Sequence, residues 1–149
     1  QLGSNPQKMA FKEVYGPLQP KVIDGQENTW SNIYGKKFFE VQNGVTETNH
    51  GIIDYLVVTS DEWWKGLPNA TRSQLSKILA EVTATRNKKA FAVNEANKKK
   101  IIESGGKIRT LTSSQRKAWV KALKPVWKKF ERDVGGDMIN AAQAANAGS

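Results

Sequence analysis

Residues 67–106 read LPNATRSQLSKILAEVTATRNKKAFAVNEANKKKIIESGG, from Leu67-Pro68 to Gly105-Gly106. Leu75, Ile78, Leu79 and Val82 recur at i, i+3, i+4 and i+7, a stripe that faces a core. Phe91, Val93, Ile101 and Ile102 extend the apolar positions, and the paired glycines stop the run. The spacing predicts one helix of about 35 residues, long for a small compact domain. Beyond it, Ile108 to Leu111 alternates as a short strand, and Thr112 with Gln115 forms a capping box. Trp119, Leu123, Trp127, Phe130 and Val134 make a second helical stripe, closed by Gly135-Gly136. Asp137 then caps a short alanine-rich helix.

Upstream the elements are shorter. Met9 to Gln19 has helical spacing (Phe11, Val14, Tyr15, Leu18) and is ended by Pro17 and Pro20. Val22-Ile23 reads as a short strand entering a turn at Asp24-Gly25, and Thr29 to Tyr34 as a helical turn. Phe38-Phe39 and Val41 form the next buried patch. Val45 to Thr48 and Tyr55 to Thr59 are β-prone, and Ser60-Asp61-Glu62 caps the turn that holds Trp63 and Trp64. Strands so few and short make no self-contained sheet, and the two long helices need a partner surface. The pattern is that of part of a larger α/β body.

Composition narrows the chemistry. The chain has 149 residues, no cysteine and one histidine. Disulfides, iron–sulfur clusters, thiolate zinc sites and a cysteine nucleophile are excluded, and most histidine metal sites with them. No apolar run approaches the roughly 20 residues of a membrane-spanning helix. From Gln1 onward there is neither a charged n-region nor an apolar h-region, so no signal peptide is expected within these residues. The net charge of +9 is uneven: residues 86–132 hold 15 basic and 3 acidic side chains, and the remainder is slightly acidic. Such a block is either a solvated helix face or a surface for phosphates, as a basic nucleic-acid- or anionic-surface-binding module would have.

Asp24-Gly25-Gln26-Glu27-Asn28 concentrates carboxylates and an amide around a glycine turn. The acidic spacing of a calcium loop is missing. The stretch reads as an Asx-type turn, a carboxylate pair, or a rim where Asn28 offers both donor and acceptor to a polar ligand. His50, in Thr48-Asn49-His50-Gly51, reads as a hydrogen-bonded structural residue. A hydrolase built on Glu27 or Asp24 with His50 lacks any nucleophile motif.

The order Met9-Ala10-Phe11-Lys12-Glu13-Val14-Tyr15, Leu18-Gln19, Val22-Ile23-Asp24-Gly25-Gln26-Glu27-Asn28, Lys37-Phe38-Phe39-Glu40-Val41-Gln42, Thr48-Asn49-His50 and Trp64-Lys65-Gly66-Leu67-Pro68 resembles the solute-binding proteins of TRAP transporters, the DctP family. The resemblance runs over nearly the whole chain and matches only about the C-terminal half of the family pattern. It implies an α/β, periplasmic-binding-protein-like two-lobed fold (type II-like), of which this is the C-terminal portion with a long lobe-spanning helix. Residues 1–59 would be part of the second α/β lobe with the ligand-cleft motifs and a crossing strand, and residues 60–149 long helices that span and pack on both lobes.

The implied function is that of a non-enzymatic periplasmic component. It captures an organic acid and delivers it to the TRAP permease subunits, with no cofactor, metal or nucleic acid. The variant Asn28-Thr29-Trp30-Ser31-Asn32 is similar to members that bind C4-dicarboxylates such as succinate, fumarate and malate. By the same resemblance Phe11 packs against the acid and Asn28 hydrogen-bonds its carboxylate. Trp30 stands beside Asn28, and His50 and Tyr55 lie near the ligand or its waters. The family's carboxylate-gripping arginine lies upstream of the matched region, and the five arginines here (Arg72, Arg86, Arg109, Arg116 and Arg132) are all in the helical second half. The N-terminal half of the pattern is expected to be lost or supplied by another chain.

Overall fold

A computed structural model describes residues 2–147; Gln1, Gly148 and Ser149, the two ends of the sequence reading, lie outside the described residues. The chain divides into two compact units, Met9–Val45 with Asn49–Arg109, and Gln1–Lys8 with Thr46–Thr48 and Thr110–Ser149.

In the first unit a 3-10 turn at Phe11–Glu13 leads into α1 (Tyr15–Leu18). This replaces the single helix expected over residues 9–19. Pro17 has no N–H for the Glu13 carbonyl, so no single helix runs through it, and Gln19 before Pro20 stays helical (φ −62°, ψ −51°), leaving the left-handed Lys21 to end the run. The end is a Schellman motif built without glycine. Lys21 takes a left-handed φ of 59°, its N–H bonds Leu18 O at 3.2 Å, and Val22 N–H reaches back to Pro17 O at 2.9 Å. Ile23 N–H bonds the same Pro17 carbonyl, so Val22-Ile23 forms a turn and not the expected strand.

Helix α2 (Trp30–Gly35) starts at Thr29, whose Oγ1 accepts the Asn32 N–H. A second 3-10 turn, Phe38–Glu40, follows. Helix α3 (Asp61–Gly66) begins at the expected Ser60 cap, and α4 runs from Asn69 to Glu103, 35 residues. At 1.5 Å per residue α4 is about 50 Å long. That length exceeds what α2 can cover. Its C-terminal part delivers Ile101 to a core with Leu18, Ile33 and Phe38, around which Val14, Tyr15, Ile23, Trp30, Tyr34, Phe39, Val41 and Val45 pack.

The apolar stripe earlier in α4 does not meet a core here. Ile78, Leu79, Val82 and Phe91 are exposed, Phe91 at 78%. Residues 51–60 join neither helix nor strand, and Tyr55 to Val58 are each at least 80% exposed. A β-prone run becomes a strand only when a neighbour accepts its backbone hydrogen bonds, and no described residue does so.

Beyond α4, Gly105 (φ 85°) turns the chain and Gly106 packs on Ile101. A Cβ on Gly106 would stand 2.5 Å from Ile101 Cγ2 and 2.8 Å from its carbonyl oxygen. Gly106→Ala is therefore expected to destabilise by about 1–3 kcal/mol through overpacking. Gly16→Ala, with nothing within 4 Å of the new methyl, should be close to neutral. Urea midpoints of the two variants against the parent provide the comparison.

Strands β1 (Val45–Glu47) and β2 (Ile108–Thr110) pair as a two-stranded sheet. In the second unit α5 (Ser113–Val134) opens on the expected capping box, Thr112 with Gln115, and α6 (Gly136–Ala147) follows the Gly135 break. Arg116 Nη1 donates to Thr48 O at 3.4 Å.

Candidate ligand-binding site

All five residues singled out from the sequence lie in the first unit. Asn28 precedes the α2 cap, and Asn32 sits one helical turn later. That i, i+4 spacing brings two side chains together on a helix surface. Asn32 Nδ2 donates to Asn28 Oδ1 at 2.6 Å and to the Tyr55 hydroxyl at 3.4 Å. One amide thus joins two residues 27 positions apart, each named from the sequence. Asn32 itself was not singled out for the site; its distance of four residues from Asn28 was the available signal.

The platform under this group is fixed by α4. Ser31 N–H donates to Asn94 Oδ1 at 3.1 Å, and Thr29 Oγ1 and Ser31 Oγ lie 3.1 Å apart. Lys98 Nζ stands 5.4 Å above the Trp30 ring, which places Trp30 in the α2–α4 contact beside Asn28. Asn94 is a second polar residue absent from the sequence reading, because a contact across 63 residues leaves no local pattern.

His50 Nε2 lies 3.3 Å from Glu27 Oε2, next to Asn28 in the chain. Phe11 sits apart from this network. It packs edge-on to Phe38 (5.8 Å, 89°) under Lys36 Nζ, and is 42% exposed. No hydrogen bond or ring contact among the described residues joins it to Asn28.

Chemically the group offers neutral polar donors and one histidine–carboxylate pair. Among the described residues no cluster of three or more histidine, cysteine or acidic side chains forms a metal site. The basic side chains of residues 86–132 are spread over α4, β2 and α5. Lys100 Nζ is 5.3 Å from the Tyr34 ring centroid, Lys129 Nζ is 5.7 Å from that of Phe130, and Lys99 pairs with Glu103. Such lysines lay their stems along apolar surface with the head in water. Three of the five arginines bond oxygens elsewhere in the chain: Arg72 that of the Asn69 side chain, Arg109 Asn43 O, and Arg116 Thr48 O.

The chain is 67% identical over 146 residues to the C4-dicarboxylate-binding periplasmic protein DctP of Vibrio cholerae, an alignment that takes in 98% of this chain and 44% of that relative. A TRAP periplasmic solute-binding protein from Shewanella oneidensis, solved with bound succinate, superposes with a TM-score of 0.92 at 49% identity. The match covers 97% of this chain and 48% of that one. A second, from Pseudomonas aeruginosa with bound L-malate, gives 0.82 at 37% identity over 86% and 45% of the two chains. The chain therefore spans less than half the length of the relatives it matches. Its fold is a helix-rich portion of the two-lobed periplasmic-binding-protein architecture, as the resemblance implied. Residues 1–133 match the model of the bacterial extracellular solute-binding proteins, family 7, and the chain belongs to that family, DctP.

Proposed function

We propose that these residues form one wall of the acid-binding cleft of an extracytoplasmic TRAP solute-binding protein, which captures a C4-dicarboxylate and hands it to the membrane permease subunits. The observation that carries this is the likeness to the succinate-bound Shewanella oneidensis protein, at 49% identity and a TM-score of 0.92. The malate-bound Pseudomonas aeruginosa protein supports the same ligand class. The activity is capture without bond making, in keeping with a site of neutral donors and no nucleophile motif. A periplasmic location is supported by the name of the Vibrio cholerae relative.

Within the cleft Asn28 donates to a ligand carboxylate, Phe11 packs against the carbon chain, and Trp30 backs Asn28. Tyr55 and His50 contact the ligand or its waters. The opposing wall and its arginine come from the rest of the protein or from another chain. Residues 55–58 join the sheet of that missing part.

The test is a thermal-shift panel on protein of the relatives' full length. A ligand bound only by the folded state stabilises by RT ln(1 + [L]/Kd), about 2.7 kcal/mol at a hundredfold excess over Kd. Succinate, fumarate and malate are expected to raise the melting temperature by several degrees, and monocarboxylates of similar size much less. A flat panel overturns the proposal.

A further inference from the structure

The geometry points to Asn32 as a positioning residue that makes the cleft selective for anions, resting on the reading above that Asn28 meets a ligand carboxylate. A carboxamide and a phenol are each both donor and acceptor, so alone neither prefers an anion to a neutral group. Asn32 removes that ambiguity. Its two Nδ2 protons point at the Asn28 carbonyl oxygen (2.6 Å) and the Tyr55 hydroxyl oxygen (3.4 Å). With those acceptors occupied, Asn28 has its own Nδ2 protons left to give, and Tyr55 its hydroxyl proton. No described residue takes the Asn28 Nδ2 protons. Two ambivalent groups from separate segments become two donors, the pattern a carboxylate oxygen accepts and a carbonyl-poor, donor-rich ligand does not.

Asn32 is itself held in place. Its backbone N–H is capped by Thr29 Oγ1 at 3.4 Å, and the neighbouring Ser31 N–H is fixed by Asn94 Oδ1 on α4. The side chain therefore leaves α2 from a fixed point, with its amide aimed between the two partners.

Replacing Asn32 by aspartate inverts the arrangement. A carboxylate at this position accepts from Asn28 Nδ2 and from the Tyr55 hydroxyl, turning the Asn28 carbonyl oxygen toward the ligand and adding a negative charge. Replacing it by leucine keeps the volume but leaves the Asn28 amide unoriented.

The experiment uses the full-length protein with succinate, and succinamic acid as the probe in which one carboxylate becomes an amide. Asn32→Asp is expected to weaken succinate binding about 100-fold or more, and Asn32→Leu about 10-fold, as loss of a hydrogen bond to a charged group implies. In both variants the preference for succinate over succinamic acid should shrink. If Asn32 acts through Asn28, adding Asn32→Leu to Asn28→Ala costs little more than Asn28→Ala alone. The melting temperature without ligand, held near the parent's, separates positioning from folding.

Succinate affinity within about threefold of the parent in Asn32→Asp, or fully additive losses in the double variant, overturns the inference. An Asn28→Ala variant that binds succinate like the parent overturns instead the reading of Asn28 on which it rests.

Discussion

Millimolar succinate, fumarate or L-malate will leave the melting temperature of the isolated 149-residue chain where it is. In the proposed wall the donors, Asn28 and Tyr55, are neutral. A hydrogen bond from a neutral donor to a charged group contributes about 1.5–3 kcal/mol, whereas association alone costs about 4–15 kcal/mol. Two such bonds do not yield a measurable complex. The stronger contact, a bidentate guanidinium on a carboxylate, is not on offer either. No hydrogen bond among the described residues joins any of the five arginines to Asn28, Asn32 or Tyr55, and Arg72, Arg109 and Arg116 bond oxygens of Asn69, Asn43 and Thr48 instead. Isothermal titration of the isolated chain and of full-length protein gives the contrast: heat in the second and none in the first. Micromolar binding by the isolated chain would mean that one wall suffices, and would remove the opposing-wall argument.

Phe38→Ala should have the largest effect on stability. Among the described residues four hydrophobic side chains are buried, and Phe38, at 1% exposure, is the aromatic one of the four. Truncating a buried phenylalanine costs about 3–5 kcal/mol, part transfer and part cavity. The loss would also release Phe11, whose edge rests on the Phe38 ring. Urea unfolding followed by tryptophan fluorescence reads it out, because Trp30 packs on the same core. A midpoint shift equivalent to less than about 1 kcal/mol would show that the unit is held together elsewhere.

Features encoded in a few neighbouring residues were legible in the sequence. The long helix, bounded by Pro68 and Gly105, is observed as Asn69–Glu103, and the Thr112–Gln115 capping box and the Ser60 cap form as read. Where the reading failed, a distant partner or a backbone detail decides. Val22-Ile23 has strand composition, yet Lys21 in a left-handed conformation folds it back on Pro17. The Leu75–Val82 stripe has the period of a core-facing helix, and periodicity cannot say whether the facing surface belongs to the same chain. The site divides the same way. Asn28 and Tyr55 were picked by resemblance, but their connection runs through Asn32, and the support from Asn94 crosses 63 residues.

The segment Ile52-Ile53-Asp54-Tyr55-Leu56-Val57-Val58 has one charge, no proline and no glycine, and lies open to water. Ribbons of this composition template copies of themselves when their backbone groups are left unclaimed. In the isolated chain, pairing between copies through this stretch therefore competes with any contact that would cover it. Until its backbone groups are paired or covered, this stretch is the foremost aggregation hazard among the described residues.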